Sequence, residues 1–462
     1  MDTTAQASQQ SHRTGSTLLR LLSLASRQRF LRARNLVDSP RVQRASAASL
    51  AAFVLIVLAL GAPSPGYAIP AFARQTGNAC STCHYQHYPA LNDFGRDFKA
   101  GGYTDMGKQE KIEKADMSLP SVLNASLFFK LRYQKTNGSD ASPANPTNSG
   151  DVQFPDEFAL LFGGRVSQNI GFFLEGQLAS HNDPFLANFK IPFMFEVGNS
   201  KAGVIPFTSD SLGAAFGFEL LNTGAVHNIR TIEHGEETSA AQYIGTATKA
   251  EGLAFVYYDR LFHVNLTKWS PNHVAGGSGT NGKPTANYLR AAVTPVLKGW
   301  DLGVGAQAWS GTANREDPAN AGLRADVATK AWAIDAQAQG NVGDFPLGIY
   351  FSHAVAKGSP TGSTPNLFNE GEPNNKKGTA VSAELGILPN KATLMLAYLK
   401  GNTGAETSSG DNALTIGGTY MVAQNVQLQL LYTKRSGSLY DDPNSRPATG
   451  NNLMTLMLSA GF

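Results

Sequence analysis

The sequence predicts a mostly β chain: a sixteen-stranded antiparallel transmembrane barrel with a small N-terminal helical unit. Three observations predict it. Apolar and polar side chains alternate along segment after segment of residues 120–462; short and long connections alternate between those segments; and the chain ends on a further alternating strand, "MTLMLSAGF", that closes with an aromatic.

The first element is a targeting segment. Residues 1–68 hold eight arginines against two acids, Asp2 and Asp38, and an apolar core, Leu50–Leu60, precedes the small residues of "GAPSPGYA". This is the order of a secretory signal, with cleavage predicted after Ala68. The apolar core falls short of the roughly 20 residues a spanning helix needs. The whole chain has 38 basic and 35 acidic residues; without the segment 30 and 33 remain, so the basic excess belongs to targeting and implies no nucleic-acid partner. Residues 69–118 form the predicted helical unit and 119–462 the barrel.

The sixteen predicted strands are 124–135, 157–167, 170–180, 185–197, 201–209, 250–258, 261–270, 285–297, 300–311, 326–340, 345–357, 378–389, 391–401, 412–424, 426–436 and 451–462. In "NVQLQLLYTKR", Val426, Leu428, Leu430 and Tyr432 share one face and Gln427, Gln429, Thr433 and Arg435 the other; "AWAIDAQAQ" and "NASLFFKLRYQK" divide in the same way. Lipid outside and a polar lumen inside produce this pattern, and short periplasmic turns opposite long external loops complete the design of an outer-membrane barrel. Sixteen strands leave room for an aqueous lumen. The even count puts the segment before the first strand on the periplasmic side, with the C-terminus. The long connection 210–249 carries its own apolar run, "AAFGFELL", so it either folds back into the lumen or packs on the rim.

The two cysteines of the chain stand together in "CSTCH". Cys80, Cys83 and His84 match C-x-x-C-H, the attachment pattern of c-type haem: two thiols bond the porphyrin vinyl groups and the adjacent histidine becomes the proximal iron ligand. A thioredoxin-like dithiol needs a βαβ setting that is absent here, and a structural zinc needs four ligands. Pro89 is placed to start a helix, with Leu91, Phe94 and Phe98 on one stripe and Asp93, Arg96 and Asp97 elsewhere, before Gly101 and Gly102 stop it. So few residues make a poor independent core, which predicts docking in the barrel mouth. For the distal iron position the candidates are His87, Met106, Met117 and the lumen or loop histidines His181, His227, His234, His263, His273 and His353; Met106 is the local one taken forward.

"IPAFARQTGNACSTCHYQHYPALNDFGRDFKAGGY" followed by a barrel resembles the fused monohaem cytochrome–porins of the bacterial outer membrane. Pro70, Phe72, Ala73, Arg74, Cys80, Cys83, His84, Pro89, Leu91, Phe94, Gly95, Phe98 and Lys99 carry the resemblance. It implies one covalent haem c on Cys80, Cys83 and His84, an extracellular donor such as Fe(II), and a periplasmic electron carrier. Fe(II) favours oxygen and imidazole ligands, and Glu233, His234, Glu236 and Glu237 form the densest such group; its other reading is a solvated acidic loop tip. The leading expectation is thus an Fe(II)-oxidising electron conduit in the outer membrane, the haem unit periplasmic or within the lumen. The alternatives are a porin with the haem unit as plug or redox gate, and a haem enzyme acting on a small molecule such as peroxide.

Overall fold

The structure is a computed structural model. It describes residues 70–462 apart from 115–116, 139–146, 180–184, 225–231, 234, 274–282, 318–322 and 443–445. The targeting segment and residues His181, His227 and His234 lie outside the described residues.

Sixteen strands close into one antiparallel barrel. They are β1 (Ala125–Thr136), β2 (Asp151–Ser167), β3 (Ile170–Gln177), β4 (Leu186–Lys190 and Phe193–Val197), β5 (Ser200–Ser209), β6 (Ala250–Tyr258), β7 (Phe262–Ser270), β8 (Ala286–Val293 and Val296–Leu297), β9 (Trp300–Ser310), β10 (Ala331–Val342), β11 (Phe345–Ala356), β12 (Lys376–Leu388), β13 (Ala392–Asn402), β14 (Gly410–Ala423), β15 (Val426–Ser436) and β16 (Asn452–Gly461). The closing seam is β16 on β1, in register from Leu453 opposite Thr136 to Gly461 opposite Phe128. Closure satisfies every edge, the condition for strands to cross lipid.

Each strand pairs with its sequence neighbours, so connections alternate strictly between the two ends. Those after β2, β4, β6, β8, β10, β12 and β14 are tight turns, on the same end as the N-terminal helical residues and Phe462. The prolines explain two interruptions. Pro192 divides β4 and Pro295 divides β8, because a proline has no N–H to give the ladder. The predicted strand 326–340 is corrected: Arg324–Ala328 pairs with Thr312–Glu316 in a separate hairpin, and the barrel strand starts at Ala331. A second hairpin, Lys111–Lys114 with Met117–Pro120, links the helical residues to β1.

The two faces divide as the alternation requires. Leu430 and Tyr432 on β15, and Trp332 and Ile334 on β10, are exposed on the outside; Gln427, Gln429, Asp335, Gln337 and Gln339 are buried within. Apolar outside and polar inside is the inverse of a soluble protein and the arrangement of a membrane barrel. His353 is a correction, since its ring lies against Trp332 on the outward face and not in the lumen.

Two segments pack inside. The described parts of the loop 210–249 fold inward: Phe218, Leu220, Leu221 and Ala241 are fully buried, and Phe218, Leu220 and Ala241 share one apolar cluster with Trp269, Tyr288 and Trp309 of the wall. The other is the helical segment, α1 (Pro70–Thr76), α2 (Cys80–Cys83) and α3 (Asp93–Ala100). Its wall contacts fall near the tight turns. Arg96 pairs with Asp301 at the start of β9, the Tyr85 hydroxyl donates to the Gly340 carbonyl, and the Tyr88 hydroxyl donates to the Ser459 carbonyl.

Helix α3 begins later than Pro89. Asn92 caps it, its side chain accepting from the Gly95 N–H at 2.9 Å. Its predicted faces are also corrected: Arg96 is buried and Phe94 is half exposed. The helix turns toward charged groups on a polar barrel wall, so the bidentate Arg96–Asp301 pair, at 2.6 and 2.7 Å, selects the inward face as much as the apolar stripe does.

Candidate functional site

The turn that carries Cys80, Cys83 and His84 is closed by backbone bonds. His84 N–H donates to the Cys80 carbonyl at 2.9 Å, Tyr85 N–H to Ala90 at 2.9 Å, and Asn92 N–H to Cys83 at 3.1 Å. Helix α3 presses on this turn at Gly95, where an added Cβ would overlap the Cys83 carbonyl. The thiols form no disulfide. Burial, with Cys80 alongside, pushes the Cys83 thiol up to about 11. That is the opposite of the activated thiolate a dithiol oxidoreductase requires.

Cys80, Cys83 and His84 open onto one cavity of about 390 Å³. Its walls are largely apolar and aromatic: Phe72, Phe98 and Tyr103 from the helical segment, Phe128, Leu161 and Phe173 from the barrel. Phe72 stacks on Tyr103 with ring centroids 4.9 Å apart. One end of the cavity is charged, formed by Lys130, Glu157, Glu175 and Glu233 with Gln427.

The residues fit a haem c. The volume lies in the range of small-molecule and cofactor cavities. His84 Nδ1 lies 3.1 Å from the Ala90 carbonyl. Donation of Nδ1–H to that carbonyl makes Nε2 the basic nitrogen, the second-shell arrangement typical of a metal-bound imidazole. Cys80 and Cys83 would hold the porphyrin, His84 the iron, and the aromatic walls its faces. The group would supply a one-electron Fe(III)/Fe(II) couple tuned by burial and hydrogen bonding.

The distal candidates are scattered. His87 has both ring nitrogens engaged, Nδ1 with the Tyr88 carbonyl at 2.8 Å and Nε2 with Glu384 at 2.7 Å. Burial opposes its charge, but the Glu384 carboxylate and the two bonds prevail and raise its pKa. With both partners acceptors, its charged form donates from both nitrogens and anchors the helical segment to the wall. Met106 is half-buried and does not line the cavity, and Met117 is exposed on the linking hairpin. His263 is fully buried against Phe218, and His273 lies 2.7 Å from Thr208 Oγ1 and 2.6 Å from the Leu186 carbonyl.

Of the four residues singled out for iron docking, His234 lies outside the described residues and Glu236 opens a short 3-10 turn. Glu233 and Glu237 are buried in the lumen, not at a solvated loop tip. Glu233 pairs with Lys130 at 2.7 Å; Glu237 faces Arg435 at 3.5 Å and accepts from Thr433 at 2.6 Å. They serve different partners, and no group of three metal-ligating side chains occurs among the described residues.

Sequence reading missed Arg290, fully buried between Glu219 of the inner loop (3.1 Å) and Asp335 of β10 (2.9 Å). A lumen-facing arginine on the "NYLRAAV" strand was the available signal. Asn222 then ties loop to helical segment, exchanging two 2.8 Å bonds with the Leu91 backbone, while Lys99 donates to the Glu219 carbonyl at 2.7 Å.

No family model matches the chain, and no curated protein sequence matches it. Solved structures of similar outline include the outer membrane channel DcaP of Acinetobacter baumannii (13% identity, TM-score 0.44, covering 76% of this chain and 99% of that one). Outer-membrane expressed OmpT of Vibrio cholerae is another (11% identity, TM-score 0.41, 76% and 100%), as is a mutant Rh. blastica porin (10% identity, TM-score 0.42, 74% and 100%). At these levels the likeness extends no further than the outline of a barrel.

Proposed function

We propose that this protein is a porin-like outer-membrane barrel whose lumen holds a covalent haem c, and that the haem carries electrons across the membrane. The observation that supports this most directly is that Cys80, Cys83 and His84 converge on one largely apolar cavity inside the barrel wall. An apolar band of about 25 Å separates the two faces of such a barrel, and a redox centre fixed in the lumen shortens the gap from both sides. Extracellular Fe(II) is the proposed donor, by resemblance, and a soluble periplasmic carrier the acceptor. The helical segment sits at the tight-turn end, where that carrier would approach.

A second reading rests on a separate observation. The closed sixteen-strand barrel is itself the fold of a channel, and it supports a pore-type role more directly than it supports oxidation of any donor. In that reading the helical segment and inner loop are a plug, and the haem is a gate or a passenger.

The test is anaerobic addition of excess Fe(II) to the purified, detergent-solubilised protein, following the haem absorption bands. Rapid reduction supports the conduit. A haem reduced by dithionite and untouched by Fe(II) removes iron as donor, and a protein secreted with intact Cys80 and Cys83 but no covalent haem removes the electron-transfer reading.

A further inference from the structure

We propose that the charged end of the cavity is a proton-loading site, so that reduction of the haem draws a proton onto Glu175. The proposal rests on the haem reading above. Its observations are the charge count and an orphaned buried acceptor. Lys130 is the cation of this cluster, and two carboxylates already hold it: Glu157 of β2 at 2.5 Å and Glu233 of the inner loop at 2.7 Å. Glu175 of β3 is held by neutral amides instead, Asn188 Nδ2 at 2.8 Å and Gln177 Nε2 at 3.3 Å. The charges that act on it are Glu157 and Asp210, which repel its carboxylate, and Lys130, which attracts it.

The cavity lining holds three acids, Glu157, Glu175 and Glu233, against two lysines, Lys130 and Lys99, the latter donating to the Glu219 carbonyl, so one negative charge stays in excess and a proton relieves it. Gln427 of β15, 4% exposed, also lines the cavity and has its Oε1 without a hydrogen-bond partner. An orphaned acceptor in the lining marks this cavity as short of hydrogen-bond donors, and a protonated carboxyl adds one.

An electron arriving on iron in the same cavity adds one more negative charge. The step balances as one electron from a one-electron donor, itself oxidised by one unit, to Fe(III), and one proton from water to the Glu175 carboxylate. Linkage makes the effect reciprocal: the proton strengthens electron binding as much as the electron strengthens proton binding.

The experiment is an optical redox titration of the purified holoprotein at a series of pH values from about 4 to 9, the usual range of carboxylate and histidine titration. Covalent haem is measured separately as the pyridine haemochrome. The expected midpoint potential falls as pH rises, by up to about 59 mV per unit, a tenfold change in the reduction equilibrium. Glu175→Gln flattens the slope with haem content unchanged. Should that variant fail to assemble, Glu175→Asp keeps the slope and moves its pH interval. A wild-type potential constant with pH, or a slope indifferent to both substitutions, overturns the proposal while leaving the haem reading standing. Absence of covalent haem overturns both.

Discussion

Replacing Arg290 by methionine tests whether the inner loop is bolted to the barrel by charge. The guanidinium is fully buried, 3.1 Å from Glu219 on the loop and 2.9 Å from Asp335 on the wall, so its loss removes the cation that stands between two carboxylates. Breaking a buried pair in this way costs about 3–5 kcal/mol. At about 1.36 kcal/mol per factor of ten, the open state of the loop gains roughly 100- to 5,000-fold in population. Hydrogen exchange read by mass spectrometry reports that population amide by amide. Peptides over residues 214–224 are expected to exchange faster by about those factors in Arg290→Met, with strand peptides of β13 to β15 unchanged. Adding Glu219→Gln and Asp335→Asn removes the stranded charges and restores most of the protection. Unaltered exchange over 214–224 in a folded Arg290→Met barrel refutes the reasoning, because the triad would then hold nothing.

Three further outcomes follow from other contacts. Gly95→Ala drives a Cβ into the Cys83 carbonyl, so covalent haem on a haem-stained denaturing gel is expected to fall sharply while the barrel still folds. His87, raised by Glu384 against its burial, contributes to docking fully below its unfolded value near 6.5, and that contribution is lost as pH rises through the folded value. The helical segment is therefore expected to become protease-sensitive in alkali, whereas Glu384→Gln, which removes a charged bond worth about 1.5–3 kcal/mol, loosens it already at acid pH; equal sensitivity at both extremes in the wild type contradicts the assignment. Leu430→Arg places a charge on the outward face and is expected to cost up to about 2–4 kcal/mol in folding into lipid vesicles, with no comparable loss if that face is not in lipid.

The barrel was legible because period two is a local signal: one face of β15 can be read from residues 426–433 with no knowledge of what lies opposite. The inner contents were not legible in that way. Arg96 and Phe94 exchanged their predicted places because the partner of Arg96, Asp301, is more than two hundred residues away. Glu233 and Glu237 read equally well as a solvated tip or a metal group until Lys130, Arg435 and Thr433 supplied their partners. The C-x-x-C-H spacing was plain in the sequence, whereas its cavity needed Phe128, Leu161 and Phe173 from three different strands. Pro192 and Pro295 could have been used to divide their strands.

The cost of clearing the lumen separates the two functional readings. A solute path through the tight-turn end requires the helical segment to leave, which parts Arg96 from Asp301 and His87 from Glu384 and breaks the Asn222 bonds to Leu91. A path past the loop parts Arg290 from Asp335 and Lys130 from Glu233. Each buried charge stranded in this way costs about 3–5 kcal/mol, and water entering the lumen returns only part of it. Electron transfer requires no such movement, since the cavity, His84 and the wall are used where they stand. Single-channel recording on wild-type protein in a planar bilayer is therefore expected to show a closed barrel, with openings rare and promoted by Arg290→Met only when Arg96→Met is added. Large steady conductance in the wild type would mean that these ion pairs do not hold the lumen shut, and would move transport to first place.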